Sequence, residues 1–330
     1  MTAKPAPAKG IVRLTDLAVP RFRVIIDNDF AGDPDGLVQL AHHLLSASCD
    51  IRAVISSHLK PEDSFWNPFE NSALEGMSLA DEVIALCGKT GRVPVLLGSA
   101  LPMVSVDHPV DNEAVDFIIA EAMRTDVDSP LFVACGGSLT QIASAYLREP
   151  AIADRVIVVW IGGGEYPGVH VAPGAPLMEY NTDEDIAAAQ VVFNHSKLRL
   201  WQIPRDVYRQ TTVTLAELEV GLGRGGALGA YLASKLGETF ARASERLGSA
   251  GEAYVMGDSP LVLFTALQTT FEADTASSFH REVACPTLRA DGGYDANPAG
   301  RPIRVYTQVD NRTMFEDFFA KLELAALDLP

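Results

Sequence analysis

Short apolar runs alternate along the chain with longer stretches whose apolar residues recur at helical spacing. Residues 23–26 (RVII) read as a strand, followed by an apolar helical stretch at 36–45. Residues 51–55 (IRAVI) read as a second strand, ahead of a polar loop and a helix over 72–87. Further strands are predicted at 93–97, 131–134, 156–161 and 198–203, with helices at 113–125, 139–147 and 183–193. Near-continuous apolar strands alternating with helices predict an α/β fold, a buried, mostly parallel central sheet with helices on both faces. The Gly- and Ala-rich stretch 221–251 predicts exposed helices. With no repeat, low-complexity tract or obvious linker, residues 21–330 are expected to form one domain behind a flexible leader at 1–20.

Composition narrows the partners. The 330 residues include 43 Asp+Glu against 26 Lys+Arg, a formal net charge of −17, while 48% are hydrophobic. Such a chain has enough apolar surface to fold. The acid excess excludes a broad nucleic-acid or anionic-membrane surface, because those partners need a basic footprint. No apolar run reaches the length of a membrane span. The N-terminal segment lacks the apolar core of a secretion signal, so a cytoplasmic location is expected. Cys49, Cys87, Cys135 and Cys285 form no CxxC pair and read as buried free thiols.

The candidate chemistry lies at the end of the first strand, in VIIDNDFAGDPDGL. Asp27, Asp29, Asp33 and Asp35 fall within nine residues, and no Lys or Arg lies between Arg23 and Arg52. Ligand sites in open α/β sheets form at the carboxyl ends of strands. Packing four acids there without compensation would cost several kcal/mol in repulsion and desolvation. A hard divalent cation would remove that conflict; the alternative is a solvated Asp-Pro-Asp-Gly turn. An EF-hand loop is excluded, since Ala31 and Val38 would stand at its ligand positions. A strand ending in Asp-x-Asp also resembles the haloacid-dehalogenase phosphatases, with Asp27 as nucleophile, although Ala31 stands where a Thr or Val is wanted.

A second resemblance extends along the chain. Asp27-Asn28-Asp29 with Asp33 and Asp35 is similar to the DxDxGxDD motif of the inosine-uridine nucleoside hydrolases. ACGGSLTQIA at 134–143 resembles that family's TGPLTN-type segment, IGGG at 161–164 its Met-Gly-Gly strand end, and Glu179-Tyr180-Asn181 its Glu-Phe-Asn segment. DEDIAAAQVVF at 183–193 resembles its Asp-Pro-Glu-Ala-Ala helix, Gly257-Asp258 takes the place of a His-Asp pair, and Val309-Asp310-Asn311-Arg312 with Phe315 resembles its closing segment.

The resemblance implies a nucleoside-hydrolase, Rossmann-like fold and Ca²⁺-dependent hydrolysis of the N-glycosidic bond of a ribonucleoside-like substrate, as in nucleoside catabolism and purine or pyrimidine salvage. A homodimer or homotetramer is also implied. Asp29 would bind the metal and act as base towards water, Asp35 and Asp258 would be further ligands, and Cys135 would offer its backbone carbonyl. Asp33 would orient water or bind the ribose 2′-hydroxyl, and Glu179 and Asn181 would hold the 5′ side. Asp27 would stand behind the ion, on loop amides. Cleavage through an oxocarbenium-like sugar suits these acids, because carboxylates stabilise a cation and a metal-bound water loses its proton readily.

The sequence departs from the family pattern in three places. Pro34 separates Asp33 from Asp35, which leaves open which of them chelates. Gly257 replaces the histidine that would protonate the leaving base, and Ser56-Ser57-His58 replaces the family's Gly-Asn. His58, Trp66 and His170 are candidates for substrate contact, each against a plainer structural role. Scattered Lys and Arg show no phosphate clamp, which favours a nucleoside over a nucleotide. A sugar- or nucleoside-binding protein that kept the metal site and lost the acid is the non-enzymatic alternative.

Overall fold

Each apolar run of the first two hundred residues becomes a strand of one sheet. The computed structural model of the chain describes residues 13–249, 251–272 and 275–328. In order they form β1 (Phe22–Asn28), α1 (Asp35–Leu44), β2 (Cys49–Ser56), α2 (Ser72–Leu86), β3 (Val95–Leu97), α3 (Glu113–Ala122), β4 (Leu131–Cys135), α4 (Thr140–Arg148) and β5 (Val156–Ile161). Then come α5 (Tyr180–Glu184), α6 (Ile186–Gln190), β6 (Arg199–Ile203), α7 (Arg205–Tyr208), β7 (Thr212–Thr214), α8 (Leu215–Gly223) and α9 (Gly226–Leu247). The chain continues with β8 (Ala253–Val255), α10 (Pro260–Thr265), β9 (Phe279–Ala284), β10 (Thr287–Leu288), β11 (Tyr294–Asp295), β12 (Pro302–Gln308) and α11 (Asn311–Asp328).

Eight strands lie in the order β3-β2-β1-β4-β5-β6-β12-β9. β12 and β9 are antiparallel, and the other pairings are parallel. The chain starts mid-sheet at β1, moves outward to β3, then returns to the other side of β1 with β4. That reversal opens a crevice beyond the carboxyl ends of β1 and β4, where sheets of this kind take their ligands. Asp27 at the end of β1 pairs with Cys135 at the end of β4, so the acidic segment and the ACGGS turn meet there.

Alternate residues of β1 serve opposite cores. Val24 and Ile26 pack with α1, α2, α9, α10 and α11, while Ile25 packs with α3, α4 and α6. Burying a Val, Ile or Leu side chain in this way stabilises the fold by about 1.5–3 kcal/mol each, and it explains why the strands are apolar on both faces.

The differences from expectation are local. The strand expected at 93–97 is only Val95–Leu97, because Pro94 has no N–H to donate to the ladder. The helix expected at 183–193 is broken into α5, α6 and a π-turn, Val191–His195. Asp185 causes the break: its Oδ1 caps α6 at Ala188 N (2.9 Å), and its Oδ2 accepts from Thr140 Oγ1 (2.6 Å) and Met103 N (2.8 Å). The stretch 221–251 carries α9, a helix with an exposed face. Strands β9 and β12 were not foreseen. Cys49, Cys135 and Cys285 are buried free thiols and Cys87 is half-buried. Residues 1–12 of the expected leader lie outside the described residues; Leu14–Leu17 forms one exposed 3₁₀ turn. Among the described residues, no helix is long and apolar enough to cross a membrane.

Candidate functional site

The acidic loop is built from the end of β1. Gly32 N donates to Asp29 O (2.9 Å), closing a turn, and Pro34 starts α1 with a helical backbone (φ −69°). Asp33 Oδ1 accepts from Asp35 N (3.3 Å), so the extra Pro34 is absorbed at the helix start and both Asp33 and Asp35 line the pocket. Asp258 arrives from 223 residues away: its backbone N donates to Asp35 Oδ2 (3.0 Å). Asn28 is the clamp. Its Nδ2 donates to Asp258 Oδ2 (2.9 Å) and Gln39 Oε1 (3.1 Å), while its Oδ1 accepts from Asp29 N (2.8 Å). The pocket above them holds about 240 Å³ and is also lined by Trp66, Glu179, Tyr180, Asn181, Tyr208 and Gly257.

The two glycines of the ACGGS turn are needed for close approach. A Cβ on Gly136 would collide with the Asn28 amide. One on Gly137 would stand 3.1 Å from Asp29 Cβ and Cγ and 3.2 Å from Glu184 Oε2.

Little cationic charge reaches these acids. Arg23, at the amino end of β1, is paired with Glu121 (2.7 Å), which Arg52 also meets (3.2 Å). Lys60 is paired with Asp183, and Arg205 with Glu165 at 2.6 Å. Burial therefore dominates: it raises Asp29 to about 6 and Asp33 to about 7, with Arg242 offsetting part of the effect on Asp33. Asp35 and Asp258 are pushed well above the carboxylate range, first by burial and then by neighbouring aspartates. Asp27 lies beneath the pocket and is raised by burial to about 7; one oxygen accepts from Ser57 Oγ and the other has no partner.

The walls are less free than their composition suggests. Glu179 caps α5 and accepts from five donors: Gly163 N (2.8 Å), Thr182 N (3.1 Å), Thr182 Oγ1 (3.0 Å), Asn181 N (3.2 Å) and Tyr208 Oη (3.0 Å). A carboxylate has about four lone-pair sites, so Glu179 is saturated. Asn181 Nδ2 ties the ends of β4 and β5 by donating to Gly136 O (2.6 Å) and Ile161 O (2.8 Å). A Cβ on Gly257 would lie 3.4 Å from Tyr208 Cδ2 and 3.3 Å from Asp35 Oδ2, so the Tyr208 ring stands against the place of the missing histidine.

The structure thus brings Asp29, Asp33, Asp35, Asp258, Glu179, Asn181 and Trp66 to one pocket. Cys135 is buried at the end of β4, one residue before the pocket-lining Gly136. His58 and His170 are not brought there. His58 is fully buried, with its ring against Leu59 O and Thr140 Oγ1 (both 3.2 Å), and burial lowers its pKa. His170 is exposed in the 162–179 loop. Tyr180, Glu184 and Tyr208 were missed as site residues. Glu184 is buried against Asp29, where burial keeps it protonated and it shares that proton with the Asp29 carboxylate, and no other donor meets its oxygens; the acid triplet 183–185 was its only signal, and the helix break at Asp185 is what sets its direction.

These carboxylates suit a hard divalent cation in donor type and charge, and an oxygen of Asp27 is left without a donor beneath them. Among the described residues, no group of three or more His, Cys, Asp or Glu is already gathered around one point. Holding an ion would require Asp29, Asp35 and Asp258 to turn towards each other.

The inosine-uridine preferring nucleoside hydrolase model matches residues 24–316. The inosine-uridine preferring nucleoside hydrolase of Leishmania major is 30% identical over 173 residues, 44% of this chain and 54% of that protein. The Crithidia fasciculata protein of the same name is 29% identical over 181 residues, 47% of this chain and 55% of its own. The chain therefore spans about half the length of these curated relatives. A solved plant nucleoside hydrolase superposes with a TM-score of 0.69 at 18% identity, covering 92% of this chain and 99% of that one. The purine-preferring ribonucleoside hydrolase from Gardnerella vaginalis gives 0.67 at 19% identity, with the same coverage. At such identities the superpositions establish the shared fold. A sequence match that runs from the first strand of the sheet into its last helix extends the likeness to family: the chain belongs to the inosine-uridine preferring nucleoside hydrolases.

Proposed function

We propose that this chain hydrolyses the N-glycosidic bond of a ribonucleoside or a close analogue, with a divalent cation, Ca²⁺ by preference, at the acidic floor. The observation that carries the reading is the meeting of Asp29, Asp33 and Asp35 with Asp258 in one pocket at the switch point of the sheet. Asp29, Asp35 and Asp258 are the side chains that would hold the cation, with the Cys135 carbonyl beside them. Once bound, the cation would anchor sugar hydroxyls and acidify water. Asp29 then takes the proton of the attacking water, and Asp33 orients that water or a sugar hydroxyl. The floor's negative charge stabilises the oxocarbenium-like sugar as the bond opens. Glu179 and Asn181 form a rigid wall, and Trp66 offers a face on which a flat base can stack.

The haloacid-dehalogenase alternative needs Asp27 as nucleophile, but Asp27 is buried beneath the pocket and does not line it. The binding-protein alternative is separated by experiment. Purified protein with Ca²⁺ is incubated with a panel of purine and pyrimidine ribonucleosides, and free base and reducing sugar are measured. Release of both in equal amounts, lost in Asp29→Ala, is the expected result. Saturable ribose binding without base release would reject hydrolysis in favour of binding.

A further inference from the structure

Most polar groups on the pocket wall are already engaged. Glu179 is saturated by five donors, Asn181 Nδ2 serves two carbonyls, and Tyr208 Oη donates to Glu179 Oε1. Tyr180 differs from them. It lines the same pocket, yet its buried hydroxyl closes no hydrogen bond of ordinary geometry, although the Asp63 carboxylate draws on it. Buried donors nearly always find a well-formed bond, so an unsatisfied phenol on a residue that lines a cavity calls for a ligand acceptor. Burial, with the carboxylates of Glu184, Asp29 and Asp63 facing it, raises the phenol's pKa, and it keeps its proton. Asp63 accepts from Phe65 N (2.9 Å) and Trp66 N (3.1 Å), so the carboxylate beside Tyr180 belongs to the loop that carries Trp66, and Trp66 lines the same pocket as Tyr180.

Resting on the hydrolase reading, we propose that Tyr180 Oη donates a hydrogen bond to the departing aglycone, in a pocket whose position 257 has no side chain to do so. As the C–N bond opens, its electron pair moves onto the aglycone, and a donor aimed at the atom that receives the charge lowers the barrier. The water oxygen bonds to the anomeric carbon and its proton passes to Asp29. Tyr180 shares its proton without releasing it. The aglycone leaves as a hydrogen-bonded anion and takes a proton from solvent. A tyrosine kept for packing alone would need no hydroxyl here.

The test is Tyr180→Phe, assayed on a natural nucleoside and on p-nitrophenyl β-D-ribofuranoside, whose phenolate leaves without help. We expect kcat on the nucleoside to fall by about 10–100-fold and the nitrophenyl rate to stay within about twofold. Unchanged rates on both substrates, or an equal fall on both, would overturn the proposal. Base release by wild type from none of the nucleosides would instead reject the hydrolase reading itself. Should the Phe variant melt early, 3-fluorotyrosine at position 180 keeps the shape and makes the phenol a stronger donor. The nucleoside rate should then rise relative to the nitrophenyl rate, and an unchanged ratio overturns the proposal equally.

Discussion

The raised carboxyls of the floor imply that protons and the cation compete for them. Asp29 stands at about 6 and Asp33 at about 7, against an ordinary 3.8. Without cation, the fold keeps these protons after the unfolded chain has released them. Its stability contribution is full below about pH 4 and is lost as pH rises through about 6 and 7. The loss is at most about 3 kcal/mol for Asp29 and about 4 for Asp33, and less in practice because both are open to water in the pocket. A cation present at about a thousand times its Kd returns about 4 kcal/mol. For a chain of this size that is a rise in Tm of roughly 6 °C.

Near pH 5 the proton on Asp29 weakens the cation by about 10-fold, and the protons held by the other two ligands, Asp35 and Asp258, weaken it further, so little of that stabilisation remains. The assay is thermal melting of protein stripped with a chelator, with and without millimolar Ca²⁺ or Mg²⁺, at about pH 8 and about pH 5. A clear rise at the higher pH and almost none at the lower is expected. Equal shifts at both, or no shift from either cation at the higher pH, would refute the reasoning.

Three further outcomes follow from the same geometry. Asp258→Asn removes a charge while keeping the backbone N–H on Asp35, and calorimetry should show cation affinity reduced at least about tenfold; unaltered affinity would remove Asp258 from the ligand set. Gly137→Ala places a methyl 3.1 Å from Asp29 Cγ, so kcat should fall by about 100-fold through displacement of the base, while urea unfolding shows a loss of only about 1–3 kcal/mol. Glu179→Ala strips five donors of their acceptor; denaturant unfolding should show at least about 2 kcal/mol lost, and a change in KM with no change in stability would contradict its role as a cap.

Features that depend on neighbours along the chain are legible in the amino-acid sequence. The alternation of apolar runs marks β1 to β6 because strands buried on both faces must be apolar throughout. The four aspartates after β1 stand out because a strand end is a poor place for uncompensated charge. Boundaries shift by one to three residues, where caps and Pro94 decide the ends. Strands β9 and β12 escape such a reading: β9 is largely exposed and polar, with only His280 and Val283 half-buried, and β12 mixes buried and exposed positions without a continuous apolar run.

What the chain alone determined is the sheet's apolar content and the density of acid at its first strand end. What only the tertiary structure decided is which groups meet that acid and which remain free. Asp33 and Asp35 both face the pocket because Pro34 is taken up at the start of α1. Glu184 comes to lie beside Asp29 because Asp185 caps a new helix and breaks the old one. Tyr208 stands against Gly257 because α7, just after β6, and the turn before α10 converge on the same edge of the pocket. Periodicity carries information over a few residues, whereas a buried carboxyl's surroundings are set by crossovers tens to hundreds of residues long, and its proton affinity follows those surroundings.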